Sequence, residues 1–88
     1  MNPLPKMNTF KTINTEYLRA SRTIETILVT RDNMTKVFFV YNYEGNSFRV
    51  FESHISLIHF FQEKSESEFH FSAEDEIDQF LSKVKITN

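Results

Sequence analysis

The stretch KVFFVYNY, Lys36–Tyr43, decides how the rest of the chain must be arranged, because six of its eight residues are apolar or aromatic. Successive side chains of a β-strand point to opposite faces of the sheet. This alternation assigns the odd-numbered residues from Val37 to Tyr43 to one face and Phe38 and Val40 to the other. Both faces of such a strand are apolar, so both need a cover.

Turn signals on both sides of this stretch predict a three-stranded antiparallel meander with KVFFVYNY in its central strand. Asp32-Asn33 precedes it and Gly45-Asn46 follows it, and residues of these types tolerate the positive φ that two-residue hairpin turns demand. The outer strands are predicted at Thr23–Arg31 and at Ser47–Glu52. The central place makes physical sense, because an exposed edge of this composition would pair with other chains.

Two amphipathic helices are predicted after the meander. The first begins behind Ser53, which can cap it, and runs through HISLIHFFQEK. The second runs through SAEDEIDQFLSKVK, where Ser72 and Asp75 resemble a capping box and the acidic residues suit the positive helix start. The apolar residues of the second helix fall on one face, at i, i+3, i+4 and i+7: Ile77, Phe80, Leu81 and Val84.

The remaining segments complete the predicted fold. Glu68–Ser72 alternates like a short strand, and Thr9–Ile13 can form another. Asn14–Arg22 suits one or two helical turns capped by Asn14 or Thr15, with strand and coil left open. The fold class is therefore α+β: an antiparallel sheet of three to five strands with a meander core and two amphipathic helices, in the order (β)-(α)-β-β-β-α-β-α. Residues 1–8 are predicted to be a flexible N-terminal tail, and residues 9–88 a single domain.

Two-residue turns also fix which residues face each other across the sheet. With both turns of that length, one face gathers core residues that the two helices can cover: Ile24, Thr26, Leu28, Val37, Phe39, Tyr41, Tyr43, Phe48 and Val50. The other face gathers the predicted interface, which consists of Ile27, Val29, Phe38, Val40 and Phe51 with Glu25, Lys36 and Arg49 at their rim. An exposed apolar patch on the order of a few hundred Å² usually has a partner.

Three covers are considered for that predicted interface. A helix or the N-terminal segment of the same chain can cover it, or another protein chain can, most simply a second copy across a two-fold axis. Alternatively, unpaired bases can stack on its aromatic residues beside nearby cations. The residues for this last role are Phe38, Phe51, Lys36, Arg31 and Arg49.

We expect a small non-enzymatic protein-interaction module that self-associates as a homodimer or binds another protein. The alternative is a small nucleic-acid-binding protein. The net charge of −2 is evidence against this alternative. The charge is unevenly divided: residues 1–50 hold seven Lys or Arg against four Asp or Glu, and residues 51–88 hold three against eight. Pairing of the two halves within one molecule is the simplest interpretation, and self-association or a basic site for a partner are the others.

No pattern predicts catalytic residues, a metal site or a cofactor. The 88 residues include no Cys and one Gly at a hairpin, which excludes thiol chemistry and a glycine-rich phosphate loop. His54, His59 and His70 are not spaced to converge on a metal ion, and the acidic run from Glu74 to Asp78 is explained as the start of a helix. No small-molecule substrate is evident, no run could span a membrane and the start lacks a secretory signal, so the expected location is the cytoplasm.

Overall fold

A computed structural model describes residues 7–43, 47–63 and 69–86, and it shows a five-stranded antiparallel sheet with two helices. The strands lie in the sheet in chain order, each beside the next. This α+β architecture, in the order β-β-β-β-α-β-α, confirms the predicted fold class. The elements are β1 (Thr9–Tyr17), β2 (Thr23–Arg31), β3 (Met34–Tyr43), β4 (Ser47–Phe51), α1 (His54–Glu63), β5 (Phe69–Phe71) and α2 (Glu74–Lys83).

The hairpin between β2 and β3 has the predicted register. Leu28 faces Val37, and Arg31 and Met34 form the last pair before the turn. Asp32 has a φ of 55°, in the left-handed region that Asp tolerates better than most residues. The two-residue Asp32-Asn33 turn therefore sets this half of the sheet as the sequence predicts.

The hairpin between β3 and β4 differs from the prediction by one residue. Tyr43 faces Ser47 and Tyr41 faces Arg49, so three residues, 44–46, lie between the last paired positions instead of two. These three residues are outside the described ones. Because side chains alternate along a strand, a shift of one residue moves every side chain of β4 to the opposite face.

The segment predicted as helical turns continues the first strand. β1 extends to Tyr17 and pairs with β2 along its length, with a register shift between Thr12 and Asn14. The only break from extended backbone here is one tight turn at Arg19–Ser21, in which Ala20 and Ser21 have left-handed φ angles of 60° and 62°. Neither Asn14 nor Thr15 caps a helix, because hydrogen bonding to β2 outweighs their capping preference.

The two helices lie on opposite faces of the sheet, so the sheet is the middle of three layers. α2 packs on the face that carries Phe38 and Val40, which we call the α2 face. α1 packs on the face that carries Tyr41 and Phe51, which we call the α1 face. The two helices do not share one face: both faces of β3 are apolar, and each is covered by one helix.

The buried residues form two clusters of unequal size. The cluster on the α2 face comprises Ile27, Val29, Phe38, Val40, Phe48, Val50, Ile77, Leu81 and Ile86. The cluster on the α1 face comprises Ile24, Tyr41, Phe51 and Leu57. Since burial of one large apolar side chain contributes about 1.5–3 kcal/mol, the α2 face holds the larger share of the apolar stabilisation.

The helix starts follow the predictions only in part. Ser53 caps α1 as expected, because its Oγ accepts a hydrogen bond from the backbone N–H of Ser56 at 3.1 Å. At α2 the capping residue is Ala73, which has no side-chain cap, so Ser72 and Asp75 do not form a capping box. Acidic residues occupy the first turn of α2 and Lys83 its last turn, as its dipole favours.

Asn8, the residue before β1, is hydrogen-bonded to the end of α2. Its backbone N–H donates to the carbonyl oxygen of Ser82 at 3.1 Å, and its side-chain Nδ2 donates to the carbonyl oxygens of Leu81 and Val84. The last carbonyls of a helix have no partner within the helix, so these bonds satisfy them from outside. Asn8 is only 6% exposed. It is therefore part of the folded domain and not of the tail predicted at residues 1–8. Residues 1–6 lie outside the described ones.

Candidate functional site

The apolar centre of the predicted interface is part of the core. Ile27, Val29, Phe38 and Val40 are at most 5% exposed and pack in the cluster beneath α2. Phe38 also meets Phe80 of α2 edge to face, with ring centroids 5.9 Å apart. Of the three covers considered for these residues, the structure shows the first, a helix of the same chain.

Two of the predicted interface residues lie on the other face. Phe51 is buried on the α1 face, and Arg49 faces Tyr41 on that same side. The cause is the three-residue connection between β3 and β4, which reverses the side-chain directions of β4. The predicted group of eight residues is therefore not one surface.

The charged rim residues have contacts within the chain. Lys36 Nζ lies 3.1 Å from Glu52 Oε1 and 5.4 Å from the ring centroid of Phe38. Arg49 Nε donates a hydrogen bond to the hydroxyl of Tyr43 at 3.0 Å. Glu25 is half-buried and lines a cleft at the N-terminal end of α2. The Lys36–Glu52 pair joins one residue of the basic half of the sequence to one residue of the acidic half.

α1 is anchored to the sheet mainly by aromatic contacts. Leu57 is buried against the sheet, and Phe60 lies 5.3 Å from the ring of Phe51. The guanidinium of Arg49 covers Phe60 at 5.4 Å from its ring centroid, and cation–π contacts of this kind are worth about 0.5–1 kcal/mol at exposed sites. Phe61, although partly exposed, also lies against the sheet, because its ring meets that of Tyr41 edge to face with centroids 4.9 Å apart.

Three apolar side chains of α1 are exposed, beside the exposed polar residues His54, His59 and Gln62. Ile55 is 65% exposed, Ile58 36% and Phe61 44%, and their spacing of three residues places them in a slanted row along the helix. We call this row the α1 stripe. No Asp, Glu, Lys or Arg occurs between residues 54 and 62, so no formal charge interrupts it.

The sheet beside α1 is only partly covered. Leu28 and Val37 face each other on the α1 face, and both are partly exposed. Neither belongs to the cluster beneath α1, whereas their neighbour Phe39 contacts the ring of His54 with centroids 5.7 Å apart. The α1 stripe and this open part of the α1 face together form the candidate functional site.

A cleft of about 200 Å³ lies on the α2 face beside the start of α2. It gathers the carboxylates of Glu25, Glu74 and Asp78 among apolar side chains. Glu74 is in the first turn of α2, where the helix dipole accounts for an acidic residue. Across the described ranges, no group of three or more His, Asp or Glu side chains is placed to hold a metal ion.

The outer edge of β1 is a second place where another chain could pair. It is nine residues long, and most of its residues are exposed. However, the register shift between Thr12 and Asn14 breaks its regularity, and Lys11 lies before the shift. Irregularities and charges of this kind hinder edge-to-edge pairing, so this edge is a weaker candidate than the α1 stripe.

Comparisons of the chain with protein-family models, with curated proteins and with solved structures find no match. Neither of the described helices, each ten residues long, is long and apolar enough to cross a membrane. Sequence reasoning did not select Ile55, Ile58 and Phe61 as an interface. The signal that could have found them is the absence of charge from an apolar helix, which is typical of helices covered on both sides.

Proposed function

We propose that this protein is a non-enzymatic interaction module that self-associates through the α1 stripe and the open part of the α1 face. The observation that carries the proposal is the exposure of Ile55, Ile58 and Phe61, between 36% and 65%, on a helix without formal charge from residue 54 to 62. Exposed apolar side chains that lie together on a soluble domain commonly mark a protein–protein contact.

The composition of the site supports an apolar interface with a polar margin. Ile55, Ile58 and Phe61 would supply the buried centre, and His54 and Gln62, both exposed, would lie at its margin. Removal of apolar surface from water stabilises a complex by about 25 cal/mol per Å² before the costs of association are subtracted. Because no formal charge lies in the stripe, this binding should respond little to salt.

A nucleic-acid platform has less support. That hypothesis depended on Phe38 and Phe51 forming one surface with Lys36 and Arg49, but these two Phe residues are buried on opposite faces. Lys36 is paired with Glu52, and Arg49 contacts Tyr43 and Phe60. We therefore propose self-association alone.

The test is the mass in solution, measured by light scattering on a sizing column over a series of protein concentrations at low and high salt. For the unmodified chain we expect the mass to rise from 10.5 kDa towards twice that value as the concentration increases, equally at both salt levels. Ile58→Glu should keep the mass at the monomer value, because burying an unpaired carboxylate in an apolar interface is strongly unfavourable.

The matched control is Gln79→Glu, which adds the same charge at an exposed position of α2. It should associate like the unmodified chain, and circular dichroism should show that both variants are folded. A chain that stays monomeric up to about millimolar concentration, a range in which even weak complexes form, would refute self-association. A dimer that Ile58→Glu leaves intact would refute the α1 stripe as its interface.

A further inference from the structure

We infer that the free edge of β1 pairs with β1 of a second copy, antiparallel, across a two-fold axis perpendicular to the sheet. Among the described strands, β1 is the first in the sheet and pairs on one side only, with β2. Its outer backbone groups are therefore open to a further strand. This contact goes beyond the proposed function, because it lies at the edge of the sheet and not on the α1 stripe.

The register shift in β1 decides which residues of two such strands can face each other. The two-fold axis keeps facing side chains on the same side of the joined sheet, so two regular strands would pair odd numbers with odd or even with even. Before the shift the even-numbered residues Phe10 and Thr12 lie on the α2 face, whereas after it the odd-numbered residues Thr15 and Tyr17 do. A residue before the shift can therefore face only a residue after it whose number has the other parity.

One register of this kind matches the side chains of the two strands. It places Lys11 opposite Glu16 of the second copy, and the registers next to it place Lys11 opposite Asn14 or Leu18 instead. Opposite charges, pairs of aromatic rings and pairs of threonines are cross-strand neighbours that stabilise antiparallel strands, and this register supplies all three. Each pair occurs twice: Lys11 with Glu16, Phe10 with Tyr17, and Thr12 with Thr15.

The two charged residues are available for this contact. Lys11 and Glu16 are both exposed, and they lie on the same face of the sheet, opposite Leu28 and Ile24 of β2. Within residues 7–43, 47–63 and 69–86, neither of them forms an ion pair. A copy of β1 thus brings an opposite charge to each of them.

The same features select a second copy over an arbitrary strand. The register shift and Lys11 hinder pairing with a regular, uncharged strand. A copy of β1 has its own shift at the centre of the contact and a carboxylate opposite Lys11. The edge thus combines a favourable contact with its own copy and unfavourable contacts with other strands, which is how specific partners are commonly selected.

The contact is small, and we expect it to be weak. It joins two single strands of nine residues, whereas stable complexes bury about 800 Å² on each partner. We expect a dissociation constant on the order of 0.1 mM, so the contact adds little to the mass of the protein at micromolar concentration. A covalent trap detects such a contact better than a mass measurement does.

Disulfide trapping tests the register, and the chain is suited to it because it has no Cys. Facing Cα atoms of antiparallel strands are about 4.5–5.5 Å apart, within the range that a disulfide spans. We expect an equimolar mixture of Thr12→Cys and Thr15→Cys to form the mixed dimer under mild oxidation. Each variant alone should link far less, because Thr12 and Thr12 of the second copy are separated by about 10 Å along the strands.

The control is Gln79→Cys, at an exposed position of α2. Thiols held together in a complex react at an effective concentration of about 1 mM, so with a dissociation constant of about 0.1 mM the mixture should link about tenfold faster than the control. Every variant also carries Ile58→Glu, so that the α1 stripe does not bring the chains together. Circular dichroism shows whether each variant is folded.

Charge exchange tests the pairing of Lys11 with Glu16. Adding Lys11→Glu to both chains of the mixture, or Glu16→Lys to both, turns two opposite-charge pairs into like-charge pairs and should slow linking about threefold or more. The double exchange Lys11→Glu/Glu16→Lys restores both pairs and leaves the net charge unchanged. Its linking rate should return to that of the mixture without exchanged charges.

Linking of the mixture at the rate of the control would overturn this inference. Thr12→Cys alone linking as fast as the mixture would also overturn it, because the strands would then meet in another register. A double exchange that stays as slow as the single exchanges would do the same, because the two charges would not face each other. Self-association through the α1 stripe is judged from the mass of the chain without Ile58→Glu, so either proposal can fail while the other stands.

Discussion

The two helices have the same length and flank the same sheet, but their solvent sides differ. The exposed positions of α2 are polar: Glu74, Asp75, Glu76, Asp78, Gln79 and Lys83. The exposed positions of α1 include the apolar residues Ile55, Ile58 and Phe61, and its first turn contains no acidic residue. A helix whose exposed positions are all polar completes the monomer on its side, whereas a helix that keeps exposed apolar residues leaves surface for a further contact.

The contacts that hold each helix on the sheet also differ. α2 covers the cluster that contains Phe38 and Leu81, and Asn8 holds its last turn from outside. α1 covers a smaller cluster through Leu57 and Phe60. We therefore expect the α2 face to determine the stability of the monomer and the α1 face to determine its association.

The largest effect is expected from Phe38→Ala. Phe38 has no exposed surface, faces Ile27 of β2 and meets Phe80 of α2, and Phe-to-Ala substitutions in a core cost about 3–5 kcal/mol. Since small domains are stable by about 5–15 kcal/mol in total, much of the folded population should be lost. Urea unfolding monitored by circular dichroism measures this change.

The matched variant on the other side of the comparison is Ile55→Ala. Ile55 is largely exposed in the monomer, so its removal should change the free energy of unfolding by no more than about 0.5 kcal/mol at concentrations where the chain is monomeric. Equal destabilisation by the two substitutions would contradict the division of roles between the faces.

A smaller effect is expected from Asn8→Ala. The substitution removes the donor that serves the carbonyls of Leu81 and Val84, and leaving partly buried acceptors without a partner costs about 1–3 kcal/mol. The loss should be local at first, because these bonds hold only the end of α2. Amide hydrogen exchange should show reduced protection in α2, and unchanged protection in α1 would sharpen the comparison; an equal loss in both helices would contradict it.

How much of this arrangement the sequence could predict depends on how local each signal is. The β2–β3 register was predictable because Asp32-Asn33 is typical of a two-residue turn and the strand pairing continues up to it. The β3–β4 register was not, because SFRVF carries apolar residues of both parities, Phe48 and Val50 against Phe51. Either loop length places apolar side chains on both faces, so hydrophobicity cannot select between them.

The placement of the helices and of Asn8 depended on contacts that are distant in sequence. Each helix is amphipathic enough to pack on a sheet, but the sequence pattern does not state which face it takes. The hydrogen bond from Asn8 to Leu81 joins residues that are 73 positions apart in the sequence. No local motif predicts that a residue will cap a distant helix. The apolar centre of the predicted interface therefore lies beneath α2, and exposed apolar residues occur on α1 instead.

The smallest effect concerns the ion pair between Lys36 and Glu52, which links β3 to the residue that follows β4. Their side chains are 25% and 38% exposed, and pairs of this kind typically contribute only about 0.2–1 kcal/mol because water and salt screen them. A double-mutant cycle with Lys36→Ala and Glu52→Ala should give a coupling energy in that range at low salt and less at high salt. A coupling well above it would mean that charge, in addition to apolar burial, contributes substantially to the stability of the α2 face, where Lys36 also lies over the ring of Phe38.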